Sequence, residues 1–366
     1  MFRPETPYNE LPEIPNRRTL HTRAVLSATI RASRVLAELK ASGGLIPNQA
    51  LLLRSMLLQE ASASSQIENV VTTNDKLYRA LSESREPTDT HTREVLRYGE
   101  AAFQGFEQIK MGRPISPSLI TNIVEVIKNP GFGVRTGDGC RIQNEGTRET
   151  IYTPPVGKER ILAMLDKLCN YINEEQETDP LIKMAAAHYQ FEAIHPFPDG
   201  NGRTGRVLNI LVLISHELLS LPMLFLSHRI LRSKAEYYDR LLGVTVQGDW
   251  ESWLLYMLEA VESTAHLTLT MLKSVKGELE KAVSFAQEEM KAGYSRELLE
   301  TVFAQPFTRV AHLVGNRIAA RNTSARYLKE LERIGILKSF VAGRDRLYFN
   351  SALYGALMLD AEGEGT

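Results

Sequence analysis

Twelve consecutive residues, His195-Pro196-Phe197-Pro198-Asp199-Gly200-Asn201-Gly202-Arg203-Thr204-Gly205-Arg206, gather the side chains best suited to chemistry in this chain. Two prolines, three glycines and an asparagine force a tight non-helical connection between apolar stretches, leaving backbone N–H groups free to face a ligand. A helix is expected to end before His195 and another to begin near Gly202, and free N–H groups at such a helix start make an anion site. Arg203 and Arg206, three residues apart, share one face of that helix. There they can clamp phosphate oxygens through bidentate hydrogen bonds. Asp199 is a hard oxygen ligand of the kind magnesium takes beside substrate phosphates and waters. His195, with an unperturbed pKa of about 6.5, is mostly neutral at pH 7 and can accept a proton from an attacking hydroxyl. The pattern points to phosphate chemistry. Gly200 to Gly205 also fits the dinucleotide fingerprint, but that fingerprint must follow a strand, and a helix with His-Pro-Phe-Pro precedes it here.

Proline placement and helical periodicity outline the elements that must hold this loop. Fifteen of 16 prolines lie at or before Pro222, and the last is Pro306. Residues 1–18, with four prolines, form an extended lead-in, and residues 19–60 show helical spacing up to a Ser-rich turn. Residues 91–128 predict two helices, stopped by Asn129-Pro130-Gly131. Residues 134–157 are glycine-rich and carry Ile151-Tyr152-Thr153, which predicts an irregular segment with a short hairpin. Asp179 and Pro180 suit the cap and first turn of the helix leading to His195. A proline-free amphipathic helix from Trp250 to about Met290 then links to a second domain.

Composition bounds the class. The chain has 366 residues, 43 Lys plus Arg against 44 Asp plus Glu, 43% hydrophobic residues and two cysteines. At about 150 residues per domain, two or three domains are expected. A net charge of −1 gives no global attraction to nucleic acid or anionic lipid, so any polyanion site must be local. Cys140 and Cys169 cannot build a disulfide framework or a four-thiolate zinc site, which points to a reducing, cytoplasmic compartment. The N-terminal MFRPETPYNELPEIPNRR lacks the apolar run of a secretory signal. The most apolar stretch, ending near Leu226, is broken by Asn209, His216, Glu217 and Pro222, too polar for a span of about 20 residues. No membrane partner is expected.

The 195–206 segment resembles the full signature of the Fic family, His-x-Phe-x-(Asp/Glu)-Gly-Asn-Gly-Arg-x-x-Arg, with every defined position present. The resemblance implies a mostly α fold: a Fic-type helical core with a short β-hairpin flap. It also implies transfer of AMP from Mg-ATP to a Tyr, Ser or Thr hydroxyl of a protein, or of the chain itself. ATP is then the substrate and Mg²⁺ the metal. His195 would be the base, Phe197 the core anchor of the loop and Asp199 the magnesium ligand. Gly200, Asn201 and Gly202 would hold the α-phosphate, and Arg203 and Arg206 the outer phosphates. Family kinases replace Gly-Asn-Gly-Arg, which this chain keeps, so AMP transfer is expected rather than γ-phosphate transfer.

Upstream, Ser64-Ser65-Gln66-Ile67-Glu68-Asn69 resembles the family's inhibitory motif, (Ser/Thr)-x-x-x-Glu-(Gly/Asn). By that resemblance Glu68 forms a bidentate pair with Arg206, with Ser64 and Asn69 completing the motif, and blocks productive ATP binding. A helix cap is the plainer reading of Ser and Glu at this spacing. Ile151, Tyr152 and Thr153 sit where the family has its target-docking flap, which pairs with a substrate segment by strand addition; an ordinary surface hairpin is the alternative. Tyr237 and Tyr238 lie where relatives contact the base, although aromatic pairs on helices often serve the core.

Residues 296–350 carry 10 Lys plus Arg against 5 Asp plus Glu. They read as three helices and a hairpin: RELLETVFAQ, TRVAHLVG opened by Thr308, NTSARYLKELERIGI capped by Asn322 or Thr323, then strands around Ala342-Gly343-Arg344-Asp345. The order resembles a small winged-helix (α+β) domain, with Arg326 and Lys329 on its third helix and Arg344 and Arg346 at the wing. DNA binding through 296–350 and a protein-contact role both stay open, as does a homodimer. The expected organisation is 1–90 N-terminal helical region with the inhibitory helix, 91–265 catalytic core, 266–295 linker helix, 296–350 winged-helix-like domain and 351–366 tail. The rival activities are removal of AMP from modified proteins and DNA-bound regulation with a nucleotide-sensing core.

Overall fold

A computed structural model of the chain describes residues 2–43, 49–82, 89–137, 139–144, 146–290, 293–342 and 345–358. The N-terminal half contributes α1 (Arg17–Leu20), α2 (Arg23–Gly43), α3 (Gln49–Ile67), α4 (Asn74–Ser82), α5 (Thr90–Lys110) and α6 (Pro117–Ile127). A hairpin of β1 (Ile142–Gln143) and β2 (Thr150–Tyr152) follows, then α7 (Lys158–Glu174), α8 (Pro180–Ile194), α9 (Asn201–Ser215), α10 (Leu226–Arg232), α11 (Lys234–Gln247) and α12 (Trp250–Glu289). The C-terminal part comprises α13 (Arg296–Val302), β3 (Phe307–Thr308), α14 (Val310–Gly315), α15 (Arg321–Arg333), β4 (Lys338–Ala342), β5 (Asp345–Phe349) and α16 (Ser351–Leu357).

Local chemistry explains the element starts nearest the site. Asp89 caps α5 by accepting from Thr92 N, Ser116 caps α6 from Leu119 N ahead of Pro117, and Asp179 caps α8 from Leu181 N ahead of Pro180. Each satisfies an N–H that the first helical turn leaves without a partner. Helices α8 and α9 are buried on nearly every side, which places them at the centre of the core. Around them, α8 packs on α7 and α12, and α9 on α5, α6 and α3. Trp253 Nε1 donates to Ala185 O at 2.8 Å and fixes α12 against α8.

Three local readings change. The Ser-rich stretch is not a turn: α3 runs on through it to Ile67, with Ala61, Ser62, Ala63, Ser64 and Ser65 all buried. Their small side chains let neighbouring helices approach, and that burial overrides the weak helix propensity of serine. Helix α12 has the expected extent but is no bare connector, since it packs along α2 and also meets α10, α11, α13 and α16. Residues 351–357, assigned to the tail, form α16, with Leu353, Ala356 and Leu357 buried.

The basic C-terminal module contains the expected helices and hairpin plus a third strand, giving an antiparallel sheet in the order β3-β5-β4. Thr308 belongs to β3, so Arg309 rather than Thr308 precedes α14. Helix α15 starts at Arg321 after an extended Ala320, which puts Asn322 and Thr323 inside its first turn. Gly343 and Arg344 of the wing turn lie outside the described residues. Several of the module's arginines face carboxylates: Arg296 lies 2.5 Å from Glu280 and 3.0 Å from Glu300, Arg333 lies 2.8 Å from Glu330, and Arg346 lies 3.8 Å from Glu332. The module also touches the N-terminal helices, where Ser55 of α3 donates to Ala304 O at 3.0 Å and the Arg79 guanidinium lies 4.8 Å from the Phe340 ring centre. Among the described residues, no helix is long and apolar enough to cross a membrane.

Candidate active site

The chain leaves α8 through His195, whose φ of 47° lies in the left-handed region, uncommon for a residue with a side chain. Arg135 holds it there. Its Nε donates to His195 O at 2.8 Å, its Nη2 to Pro155 O at 2.5 Å and to Ile194 O at 3.3 Å, and its backbone N to Pro196 O at 3.0 Å. One buried guanidinium thus ties the loop to the base of the hairpin. Phe197 is fully buried against Phe191.

Asn201 closes the loop from the other side, accepting from Phe197 N at 2.9 Å and donating to Phe197 O at 2.7 Å. Its amide is therefore committed to the loop, and what it can offer a phosphate is its backbone N–H. Gly200, at φ 82°, needs its missing side chain, and α9 begins behind it with no side-chain cap. The first N–H groups of α9 are left to an external anion.

Two buried arginines stand on α9. Arg206 donates from Nε to Ser64 Oγ at 2.8 Å and from Nη2 to Ser64 O at 2.9 Å and Glu68 Oε1 at 2.8 Å. The Glu68–Arg206 contact is a single Nη2–Oε1 hydrogen bond rather than the expected bidentate pair, with Ser64 engaging Nε and sharing Nη2. Burial would raise the Glu68 pKa, but the Arg206 guanidinium holds it below the ordinary carboxylate value. A Cβ at Gly202 would collide with Glu68 Oε1, so this carboxylate also lies over the start of α9. Asn69, at φ 60°, ends α3 in the left-handed conformation that asparagine tolerates.

Arg203 Nη1 meets Glu94 Oε1 at 2.6 Å and its Nη2 lies 3.6 Å from Asp199. Lys128 Nζ contacts both Glu94, at 2.5 Å, and Asp199. Burial would raise the Asp199 pKa, yet Lys128 draws it below its usual value. Burial pushes His195 down to about 4, with Arg135 acting in the same direction, so its imidazole is neutral at pH 7.

Behind Arg206 lies a buried polar layer that the sequence did not announce. Glu60 of α3 accepts from Ser227 N at 3.0 Å and from Tyr98 Oη at 3.3 Å, and burial raises it to about 7. His188 Nε2 contacts Tyr237 Oη at 2.8 Å, and burial lowers His188 to about 3. Burial raises Glu192 to about 8 from an ordinary 4.5, against the pull of Arg206. A folded state that holds this extra proton gains stability fully below the unfolded value and loses it as pH rises through about 8. Glu192→Gln, which cannot ionise, should therefore melt above wild type at about pH 9, with the gap closing toward about pH 5. Superimposable melting curves at both pH values would contradict a protonated Glu192.

The remaining candidates are only partly assembled. Tyr237 is buried beneath Arg206 and faces the Trp253 and Tyr256 rings, whereas Tyr238 is half-exposed. Of the three flap residues Ile151, Tyr152 and Thr153, Ile151 is the one that is partly exposed. Tyr152 turns inward, donating to Ala193 O at 2.8 Å and stacking on Phe2, and Thr153 donates to Pro4 O at 2.6 Å. The N-terminal lead-in packs on this strand and draws both side chains in. Among the described residues, no three His, Cys, Asp or Glu side chains converge as a metal site.

Sequence comparison matches residues 26–107 to the Fic/DOC family N-terminal region, residues 114–213 to the Fic/DOC family and residues 279–353 to the C-terminal domain of SoFic-like protein adenylyltransferases. A protein adenylyltransferase, fic-1, of Caenorhabditis briggsae is 31% identical over 125 residues, covering 34% of this chain and 23% of the relative. A probable protein adenylyltransferase of Aquifex aeolicus is 28% identical over 166 residues, covering 44% and 49%. The chain thus spans less than half the length of either relative. A Fic family protein from Desulfovibrio desulfuricans shares the fold at a TM-score of 0.59 and 18% identity, covering 92% of this chain and 98% of its own.

Proposed function

The chain belongs to the Fic/DOC family, and from that premise we propose that it is a protein adenylyltransferase that moves AMP from Mg-ATP to a protein hydroxyl and is restrained by Glu68. The observation that carries this reading is Glu68 itself: a carboxylate lying over the uncapped start of α9 and on Arg206, where an anionic substrate group would bind. Adenylyltransferase relatives support the reaction class.

The proposed step uses groups already in place. Neutral His195 takes the proton of the target hydroxyl, whose oxygen forms a bond to the α-phosphorus of ATP as the bond to the pyrophosphate oxygen breaks. The N–H groups at the start of α9 hold the negative α-phosphate, and Arg203 and Arg206 hold the outer phosphates. A one-carboxylate site suits magnesium, which binds through one or two carboxylates plus substrate phosphates and waters. Asp199, 59% exposed and already facing a cation, is the residue that would hold it. The metal would neutralise charge on the departing pyrophosphate.

The test is incubation of the purified protein and a candidate target with Mg²⁺ and ATP labelled at either the α or the γ position. Protein-bound label is expected from the α position alone. Label from γ would mean phosphoryl transfer, and absence of α-label from every protein present would overturn the reading.

A further inference from the structure

We propose that Lys128 is a resident counter-cation of Asp199, a positioning residue that keeps the acid loaded until a divalent metal displaces it toward Glu94. The inference rests on the nucleotide-transfer reading above and concerns residues that the family signature does not contain.

The lysine is built into its place. It follows the last turn of α6, donating from its backbone N to Val124 O at 2.8 Å. Its carbonyl accepts from Arg97 Nη1 at 3.0 Å, and the same Nη1 binds Asn129 Oδ1 at 3.1 Å. With the backbone fixed, the side chain runs under Gly200, where an added Cβ would lie 3.4 Å from Lys128 Cγ and 3.6 Å from its Cε. The lysine side chain is only 16% exposed, whereas Asp199 is 59% exposed. The ammonium therefore approaches the carboxylate from the protein side, leaving the outer face to solvent.

Four alternating charges result: Arg203 on Glu94, Glu94 on Lys128, Lys128 on Asp199. The cluster is neutral, so no uncompensated charge is held in this pocket without nucleotide. Asp199 Oδ1 accepts from Gly200 N at 2.5 Å, and Oδ2 is the oxygen that Lys128 engages. A divalent cation at Asp199 must therefore share or replace the contact at Oδ2 and meets the repulsion of the nearby ammonium. Lys128 is not stranded by the exchange, because Glu94 still pairs with it. Metal affinity thus becomes a difference between two cations competing for one carboxylate.

Mn²⁺ with ADP serves as the probe, with free Mn²⁺ read by electron paramagnetic resonance, so no turnover is needed. Lys128→Met should lower the Mn²⁺ half-saturation about tenfold, Lys128→Arg should keep the wild-type value, and both should melt as cooperatively as wild type. An unchanged or raised half-saturation in folded Lys128→Met overturns the proposal, a raised value meaning that Lys128 orients Asp199 for the metal. Asp199→Asn separates the two readings. If it weakens Mn-ADP binding while Lys128→Met has no effect, only the displacement idea fails. If wild type itself binds no Mn-ADP, the nucleotide-site reading fails, and this inference with it.

Discussion

Glu68→Gly should raise the initial rate of AMP incorporation by about tenfold or more, within the 5- to 150-fold that couplings of about 1–3 kcal/mol provide. The substitution does two things at once. It frees one Nη2 contact of Arg206 and clears the carboxylate from above Gly202, so a triphosphate meets both an available guanidinium and an open helix start. Arg206 should not collapse, because Ser64 holds it through Nε to Oγ and Nη2 to the backbone carbonyl. Its remaining acidic neighbours are Glu192 and Glu60. Glu192 and Glu60 both lower their pKa under its influence, and burial keeps them near 8 and 7. Loss of Glu68 removes the negative neighbour that raises Glu192, easing its ionisation beside Arg206. Single-turnover label transfer with wild type and Glu68→Gly side by side gives the measurement. Equal rates would remove the brake.

His195→Ala should lower the rate by about 10² to 10⁴, the usual worth of a positioned general base, while leaving Mn-ADP binding within about twofold of wild type. The split follows from geometry, since the groups proposed to hold phosphate belong to α9, while His195 precedes the turn and is held through its carbonyl by Arg135. Its acidity adds a second readout. A base with a pKa of about 4 stays deprotonated through the neutral range, and protonation removes it only as pH falls through about 4. The acid limb of kcat/KM should therefore lie well below the ordinary histidine value of about 6.5. A limb near 6.5 would mean that His195 is solvated in the working enzyme.

The loop was legible because most of what shapes it is local. Left-handed positions at His195 and Gly200, the Asn201 clamp on Phe197 and the uncapped start of α9 all fall within seven consecutive residues. Helices α8 and α9 were legible for a similar reason, since the apolar runs flanking the loop are long and carry their own start signals. What stayed hidden is brought in from far along the chain. Arg135 reaches His195 across 60 residues, and Glu94 and Lys128 arrive from α5 and the end of α6. In sequence each is an ordinary charged residue, indistinguishable from a solvated surface position. The Ser-rich end of α3 was misread because serine favours turns where nothing covers it, and here it is fully covered. Strand β3, two residues long, has no periodicity to detect. The inward turn of Tyr152 and Thr153 depends on Phe2 and Pro4, about 150 residues away.

Glu68 lies one residue beyond Ile67, the last residue of α3, and its side chain is one-third exposed. Letting go of Arg206 therefore needs no unwinding of α3 and no separation from its neighbours, because Ser64 can keep its grip while Glu68 turns into solvent. Such a side-chain rotation is faster than the displacement of a helix. The proposed restraint is then a side-chain equilibrium rather than a slow conformational gate. Under that proposal it raises the apparent nucleotide Kd by the reciprocal of the fraction of time that Glu68 is away. Any partner that relieves it has to bias one rotamer rather than rebuild a fold.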